Sequence, residues 1–249
     1  MNNHREEKIV ATVECRMTSS RLPGKVLMKA DGKPMLRILV ERLSKVEQLD
    51  AIVLATTTNK TDDPIAELAK SLGVRCHRGS EDDVLRRVLD AARSADADVI
   101  VEITGDCPLL DPQITSQVID LYRLNDCDYA SNLDPVSFPI GMDAQVFSTR
   151  LLSIADEEGN TQEDREHVSL FIRKQPERFR KLHLPAPPEL HWPDLGLTLD
   201  EKEDYELLKT IHESLVSDNP DYSCLDILRF LRKNPDLLKI NSEVKRIEV

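Results

Sequence analysis

Three basic residues, Arg16, Arg21 and Lys25, lie within ten positions of one another, directly after an apolar run at residues 8–13. Serines and Gly24 separate them, so the segment can present backbone N–H groups together with several cations to a polyphosphate. A solvated basic loop is the alternative interpretation. The Walker A motif is absent, because Gly24 and Lys25 lack the second glycine and the following Ser or Thr.

Two aspartates, Asp106 and Asp200, each stand at the end of a segment that reads as a strand, in the sequences ITGD and LTLD. Proteins hold Mg²⁺ in phosphoryl-transfer sites with one or two carboxylates, together with substrate phosphates and water. The pair is therefore sufficient to bind such an ion. The structural alternatives are that Asp106 caps a turn and that Asp200 caps the helix beginning near Glu201.

A third polar group consists of Arg78, Gly79 and Ser80, which follow a predicted strand at residues 74–77. These residues can offer a guanidinium, a backbone amide and a hydroxyl to the edge of a pyrimidine. Ser80 is also a good helix N-cap, because the acidic residues after it would stabilise the first helical turn. Both interpretations of Ser80 remain open at this stage.

The elements that must position these groups alternate along the first half of the chain. Short β-branched runs predict strands, and apolar residues at i, i+3 and i+4 predict helices between them. The alternation predicts a doubly wound α/β fold, with a mostly parallel sheet and helices on both faces. Ligands of such sheets bind beyond the carboxyl ends of the strands, where all three polar groups lie. The predicted strands cover residues 8–13, 51–56, 74–77, 98–104 and 128–131, and the predicted helices cover residues 35–46, 63–73, 81–95 and 111–124.

Residues 51–56 and 98–104 are apolar at nearly every position, which predicts central strands covered on both faces.

The alternation of predicted strands and helices breaks near residue 133. We interpret the chain as one domain of residues 1–249. Its parts are a nucleotide-binding core at 8–132, an appended α+β lobe at 133–194 that includes a helix over 164–175, and a return to the core with C-terminal helices at 195–249.

Composition excludes several classes of function. With 33 basic and 45 acidic residues the net charge is −12, so the overall field repels nucleic acids and other polyanions. No apolar stretch approaches the roughly 20 residues that span a bilayer, and the first residues lack the apolar segment of a secretory signal. The five cysteines form no CxxC pair, which argues against a disulfide framework or a cysteine zinc site. We therefore expect a cytoplasmic protein with free thiols.

The basic loop opens a series of motifs that resembles the sugar cytidylyltransferases. Arg16-x-x-x-x-Arg21-Leu-Pro-Gly-Lys25, followed by GKPML, is similar to their N-terminal signature. In its order the series resembles the spore-coat polysaccharide biosynthesis branch, which is related to the CMP-KDO and CMP-acylneuraminate synthetases. The later motifs are ATTTN (55–59), RGSEDDVL (78–85), ITGDCPLLD (103–111), FPIGMD (138–143), REHV (165–168) and LTLD (197–200).

The resemblance implies a GT-A-like nucleotidyltransferase fold and a homodimer that uses CTP, Mg²⁺ and a sugar or sugar-acid acceptor. The products would be pyrophosphate and a CMP-sugar for surface polysaccharide or glycoconjugate synthesis. Asp106 and Asp200 match the metal-binding aspartates, and Asp106 also belongs to the nucleotide site. By the same resemblance Arg16, Arg21 and Lys25 would be catalytic phosphate ligands, and residues 78–80 would select cytosine. The acceptor-binding residues that it implies are Gly141, Asp143, Arg165, Glu166 and His167.

Glu14 departs from the pattern of this branch, which usually has glutamine at that position. Its carboxylate either weakens nucleotide binding or points away from the phosphate loop. Glu14 therefore leaves open the alternative that the chain is a non-catalytic paralogue, which would bind nucleotide without converting it. The other rival is a metal-dependent glycosyltransferase of similar sheet architecture, which would use an already activated nucleotide sugar. Release of pyrophosphate from CTP separates the two enzyme classes.

Overall fold

The computed structural model describes residues 7–245. The sequence ends, residues 1–6 and 246–249, lie outside the described residues, and so does most of the N-terminal stretch on which the expectation of no secretory signal rests. The strands are β1 (Ile9–Glu14), β2 (Lys29–Ala30), β3 (Lys33–Pro34), β4 (Ala51–Thr57), β5 (Arg75–Gly79), β6 (Val99–Thr104), β7 (Tyr129–Ser131), β8 (Gln145–Ser148) and β9 (Lys181–His183). The α-helices are α1 (Met35–Leu43), α2 (Asp63–Leu72), α3 (Val84–Ser94), α4 (Pro112–Arg123), α5 (Thr149–Glu158), α6 (Gln162–Glu166), α7 (Leu170–Arg173), α8 (Lys202–Val216) and α9 (Cys224–Lys233).

One seven-stranded sheet organises the fold, in the order β5-β4-β1-β6-β8-β7-β9. The pairs β1–β4, β1–β6, β4–β5 and β7–β9 are parallel, whereas β8 runs antiparallel to both β6 and β7. The predicted doubly wound, mostly parallel α/β sheet is confirmed. Two strands from the predicted lobe at 133–194, β8 and β9, extend this same sheet, where both pair with β7 of the predicted core. A separate short hairpin joins β2 to β3.

Both faces of the sheet are covered, which explains why its central strands are apolar at successive positions. Helices α1, α2 and α4 contribute buried residues to the core on one face, together with Ile9 and Val101. Helices α3, α5 and α7 contribute to the core on the other face, together with Val10 and Ile100. The predicted central strands at 51–56 and 98–104 are therefore confirmed as interior strands.

Two of the predicted helices differ from the structure, one in where it begins and the other in being divided. The helix predicted over 81–95 begins at Val84, because the Asp83 side chain accepts a hydrogen bond from the backbone N–H of Arg86 and so caps it. The helix predicted over 164–175 is instead two short helices, α6 and α7. A capping box between Thr161 and Asp164 starts α6 early, and His167, with φ −110° and ψ 97°, is extended and ends it.

The C-terminal helices α8 and α9 were predicted and are present. They bury Leu207, Ile211, Leu228 and other apolar residues in a third cluster, which also contains residues 195–199. This packing returns the end of the chain to the carboxyl edge of the sheet. Across residues 7–245, no helix is both long enough and apolar enough to span a membrane.

Candidate active site

The basic loop leaves the carboxyl end of β1 and is closed by a short turn. Gly24 has φ +74°, a backbone conformation that favours glycine, and its N–H donates to the carbonyl of Met17 at 2.8 Å. A 3-10 turn over Lys25–Leu27 follows directly. The closed loop carries the Lys25 side chain back toward the edge of the sheet.

Lys25 joins the two predicted metal-binding aspartates. Its Nζ donates to Asp106 Oδ2 at 3.3 Å and to Asp200 Oδ1 at 3.0 Å. Arg21 Nη2 also contacts Asp200 Oδ1, at 2.8 Å. Residues separated by 175 positions in sequence therefore meet at one ion cluster. Asp106 follows β6 as predicted, but residues 197–200 are not a strand, so the prediction that Asp200 ends one is wrong.

The electrostatics of the cluster favour its charged form. Burial lowers the pKa of Lys25, but the carboxylates of Asp106 and Asp200 outweigh it and hold that pKa above its ordinary value. Burial raises the pKa of Asp200, yet Lys25 and Arg21 together hold it below its ordinary value. The ammonium and the Asp200 carboxylate thus stabilise each other in the ionised state.

Backbone contacts hold the two aspartates together. The N–H of Leu199 donates to the carbonyl of Asp106 at 2.7 Å. Asp204, on the first turn of α8, accepts from the N–H groups of Asp200 and Glu201 at 3.2 and 3.0 Å. Glu201 is the N-cap of α8, so the alternative in which Asp200 serves as the cap is wrong.

Arg16 lies apart from Lys25 and contacts the loop after β5 instead. Its Nη1 is 3.1 Å from Glu81 Oε1. Glu81 also accepts from the Thr18 hydroxyl and, at 2.6 Å, from Asn59 Nδ2. Glu81 therefore connects the basic loop, the residues after β4 and the segment preceding α3 at one edge of the sheet.

The polar group at residues 78–80 is braced by internal hydrogen bonds. Arg78 donates through Nε to the carbonyl of Thr57 at 2.8 Å and through Nη2 to that of Asn59 at 2.7 Å. Ser80 Oγ accepts from the N–H of Asp83 at 3.1 Å, so it stabilises the turn before α3 without being its N-cap. Arg78 and Gly79 belong to β5 itself, so of the three residues predicted to follow a strand at 74–77 only Ser80 does so. Arg78 thus ties the end of β5 to the residues at the end of β4, and base selection by residues 78–80 stays a prediction.

The predicted acceptor residues lie in two segments of the chain, of which the first is beside Leu197 and Asp106. Gly141 has φ +102°, and a Cβ there would lie 2.7 Å from the Leu197 backbone, so only glycine fits. Its N–H donates to Asp143 Oδ2 at 2.9 Å. Burial, opposed by the Gly141 N–H and aided by the Asp106 carboxylate, raises the pKa of Asp143 to about 6.

The second segment is α6, and it faces the basic loop across a cleft of about 400 Å³. The guanidinium of Arg165 is already engaged, with Nη2 at 2.6 Å from Asp83 Oδ2 and 2.7 Å from Asp156 Oδ1. His167 is half-buried at the end of α6. The cleft is lined by Arg16, Glu81, Asp82, Asp83, Val84, Gln162, Arg165 and Glu166.

Asp62, which sequence reasoning missed, anchors the basic loop. It is fully buried and accepts from the N–H of Met17 at 2.8 Å, from Thr56 Oγ1 at 2.9 Å and from Thr57 Oγ1 at 2.6 Å. Burial raises its pKa, but these hydrogen bonds, led by that of Thr57, leave it below the ordinary value. Its charged carboxylate therefore fixes the backbone between Arg16 and Thr18.

Asp62→Asn should loosen the loop, because an amide presents a donor to groups that are themselves donors. We expect KM for a bound nucleotide to rise about tenfold, equivalent to about 1.4 kcal/mol, and the free energy of unfolding to fall by about 1–3 kcal/mol. Thr56→Val is the matched control, since it removes one bond to Asp62 but keeps Met17 anchored. Equal changes of KM in both variants, measured by steady-state kinetics, would contradict the anchoring role.

Glu14 is turned away from the basic residues of the loop. Within residues 7–245 it forms no ion pair with Arg16, Arg21 or Lys25. Burial raises its pKa well above the ordinary value, Glu102 and Asp106 add to this, and Arg87 opposes it. The added negative charge is thus largely suppressed, which removes the main reason to expect weakened nucleotide binding.

The donor set fits a divalent cation that also binds phosphate. Asp106 and Asp200 already share one cation, the ammonium of Lys25, and so their oxygens converge. In the described part of the chain, no group of three or more His, Cys, Asp or Glu side chains could hold a metal by itself. Two carboxylates completed by substrate phosphates match the sparse protein coordination that Mg²⁺ accepts.

Known proteins share both the sequence and the fold. Residues 10–231 match the model of the family described as Cytidylyltransferase. The chain is 34% identical over 233 residues to the spore coat polysaccharide biosynthesis protein SpsF of Bacillus subtilis, covering 92% of this chain and 95% of that protein. A cytidylyltransferase structure from Leptospira borgpetersenii superposes with a TM-score of 0.88 at 31% identity, over 98% of this chain and 100% of that one.

A more distant structural neighbour is CMP:2-keto-3-deoxy-manno-octonic acid synthetase complexed with CTP. The TM-score is 0.63 at 16% identity, and the superposition covers 84% of this chain and 99% of that one. At this identity the likeness shows the fold alone.

Proposed function

The chain belongs to the cytidylyltransferase family, and from this premise we infer that it is a CTP-dependent enzyme forming a CMP-sugar and pyrophosphate for polysaccharide biosynthesis. The observation that carries the inference to this chain's own residues is the ion cluster of Lys25, Asp106 and Asp200. It joins a basic loop suited to phosphates with carboxylates suited to a cation. Phosphate-binding cations and carboxylates that hold a metal ion recur together in enzymes that use nucleoside triphosphates.

In the proposed reaction an acceptor hydroxyl attacks the α-phosphorus of CTP in line, and the bond to the leaving pyrophosphate breaks. Arg16, Arg21 and Lys25 neutralise the charge that accumulates on that leaving group. To do so Lys25 exchanges its carboxylate partners for phosphate oxygens. Catalysis then comes from positioning and electrostatics, and no side-chain nucleophile is required.

Asp106 and Asp200 would hold the Mg²⁺ ion when the nucleotide binds. The ion supplies neutralisation of the phosphate charge and orientation of the phosphate oxygens. Asp204 and the N–H of Leu199 support the arrangement, because they fix the backbone of Asp200 and Asp106. Release of these carboxylates from Lys25 leaves their oxygens available to the ion.

We propose that residues 78–80 form the cytosine side of the site. Because Arg78 is committed to the carbonyls of Thr57 and Asn59, the groups left for the base are backbone atoms at the end of β5 and the Ser80 hydroxyl. A rigid loop discriminates bases through the fixed positions of its donors and acceptors. Because Arg78 fixes the position of residues 78–80, their donors and acceptors can favour the smaller pyrimidine ring over a purine.

We propose that the acceptor is a sugar or sugar acid bound between Gly141, Asp143, Arg165, Glu166 and His167. Arg165 is held by Asp83 and Asp156, so it acts through the shape of the cleft and not as a free carboxylate clamp. His167 is half-buried beside the cleft and can hydrogen-bond a hydroxyl. Asp143 can accept from another hydroxyl while it remains near Asp106.

We also propose a cytoplasmic homodimer. Cys15, Cys76, Cys107, Cys127 and Cys224 are all free thiols, which suits a reducing compartment. Val136, in the predicted lobe, is 51% exposed and can contribute to a contact between copies. Light scattering tests the dimer, and a purely monomeric protein at micromolar concentration would refute it.

A pyrophosphate-release screen tests the function. CTP, UTP, ATP and GTP are each combined with Mg²⁺ and a panel of sugars and ulosonic acids. We expect release with CTP to exceed that with any other nucleotide by at least about tenfold, because hydrogen bonds to base edges give discrimination of this size or more. Equal or faster release with UTP or a purine nucleotide would overturn the cytosine assignment. Absence of acceptor-dependent release from any nucleotide would overturn the transfer activity.

A further inference from the structure

The peptide around Asp200 lies outside the strands, between β9 and α8, so single hydrogen bonds and not a sheet ladder set its position. The N–H of Leu197 donates to the carbonyl of Ile140 at 2.7 Å. The N–H of Leu199 donates to the carbonyl of Asp106, also at 2.7 Å. The place of the Asp200 carboxylate therefore depends on each group that bonds to this peptide.

A buried amide from the end of the chain reaches the same peptide. Asn241 is 6% exposed, whereas the next residue, Ser242, is exposed. The Nδ2 of Asn241 donates to the carbonyl of Gly196 at 3.1 Å. It also donates to Asp204 Oδ1 at 2.8 Å. One side chain thus connects the backbone before Asp200 with the helix turn after it.

The Asp204 carboxylate links this amide to the backbone of Asp200. Asp204 is fully buried, in the first turn of α8. Its Oδ2 accepts from the N–H groups of Asp200 and Glu201 at 3.2 and 3.0 Å, while its Oδ1 accepts from Asn241. A carboxylate held at both oxygens cannot rotate without breaking hydrogen bonds, which is costly in a buried position. Asn241 therefore fixes the rotation of the group that holds Asp200.

The C-terminal segment, residues 240–245, also meets the basic loop. The carbonyl of Lys245 accepts from Arg21 Nη1 at 3.4 Å, and Arg21 Nη2 lies 2.8 Å from Asp200 Oδ1. Apolar side chains just before the segment, together with Ile240, pack against the third hydrophobic cluster and anchor it. Two separate contacts therefore join the end of the chain to the groups around Asp200.

We propose that Asn241 is a positioning residue for the Mg²⁺ site, and that it acts through Asp204 on Asp200. A neutral amide suits this place, because its Nδ2 is a donor and both the Gly196 carbonyl and the Asp204 carboxylate accept. An apolar side chain would leave two buried acceptors without this donor, and an aspartate would set a third acceptor against them. The inference rests on the proposed function, and it adds the C-terminal segment to the site.

Calorimetry of CTP binding to the full chain, without acceptor and at varied Mg²⁺ concentration, tests the proposal. Asn241→Ala should raise the Mg²⁺ concentration that half-saturates the strengthening of CTP binding by at least about fivefold, because loss of a group supporting a metal ligand typically costs about 10–100-fold in metal affinity. With EDTA in place of Mg²⁺, CTP affinity should match that of the native protein, because the phosphate-binding loop is unchanged. Asn241→Asp should act in the same direction, and it keeps the test decisive should Asn241→Ala fail to fold.

Ser242→Ala is the matched control, because the Ser242 hydroxyl donates to the nearby carbonyl of Lys239 and belongs to the same segment. Tyr222→Phe is the control for stability, since it removes the buried hydrogen bond between Tyr222 and His212 from the same cluster. Both controls should keep the native Mg²⁺ dependence. An equal rise in Tyr222→Phe, or native Mg²⁺ dependence in both folded Asn241 variants, would overturn the positioning role.

The native protein separates this inference from the proposed function. Failure of the native protein to bind CTP, or CTP binding that Mg²⁺ does not strengthen, refutes the proposed function. Mg²⁺-dependent CTP binding by the native protein that both Asn241 variants retain unchanged refutes only the positioning role of Asn241.

Discussion

Asp106→Asn and Asp200→Asn should each lower kcat for CTP-dependent pyrophosphate release by at least about 100-fold. Loss of one preorganised electrostatic group in an active site typically costs about 10²–10³ in rate. An amide keeps the size of the carboxylate but removes the charge that Lys25 now neutralises and that Mg²⁺ would bind. Steady-state kinetics at varied Mg²⁺ concentration measures the loss.

The two aspartates should act as one unit, so the double variant should be little worse than either single variant. Asp50→Asn is the matched control. Asp50 Oδ2 accepts from the N–H of Ile9 at the opposite end of β1, and its loss should leave turnover normal. Normal turnover and normal Mg²⁺ dependence in both folded single variants would reject a shared ion.

Lys25→Met should lower kcat/KM for CTP by about 10–150-fold. Charge-assisted hydrogen bonds contribute about 1.5–3 kcal/mol, and about 1.4 kcal/mol corresponds to a factor of ten. Methionine keeps the length and most of the packing of the side chain but cannot neutralise a phosphate. Lys33→Met is the matched control, because Lys33 pairs with Glu41 on the surface and such pairs contribute little.

The same variant should change the pH dependence of stability. The pKa of Asp200 is held below its ordinary 3.8 in the folded protein. A depressed carboxyl pKa contributes stability above the ordinary value and loses it as the pH falls through the folded pKa. Lys25→Met removes one cause of the depression, so less stability should be lost below about pH 4. Identical acid unfolding curves for Lys25→Met and the native protein would contradict the coupling.

The architecture and the ion cluster could be predicted because they follow from local patterns. Alternating strands and helices specify a parallel sheet, and residues that follow parallel strands gather at one edge. Lys25, in the loop after β1, and Asp106, after β6, meet for that reason. Asp200 follows no strand, and the hydrogen bond from the Leu199 N–H to the Asp106 carbonyl holds its segment beside them. The short strands β8 and β9 were missed, because three- or four-residue segments carry too little periodicity.

The supporting interactions could not be predicted, because they depend on contacts between distant segments. Asp62 anchors Met17 across 45 positions, and no spacing rule distinguishes it from the other aspartates. Arg78 presents a guanidinium in the sequence, yet the fold commits it to the carbonyls of Thr57 and Asn59. The break at His167 lies in its extended backbone, which the helical spacing of the surrounding apolar residues does not reveal.

The most direct test of the transfer site is a crystal structure of the protein with CTP and Mg²⁺ and without an acceptor. We predict one ion bound by the carboxylates of Asp106 and Asp200 and by phosphate oxygens of CTP. Lys25 Nζ should have left the two carboxylates for a phosphate oxygen, and the cytosine should lie against residues 78–80. CTP bound elsewhere, or Lys25 still bridging Asp106 and Asp200 with no ion between them, would contradict the site.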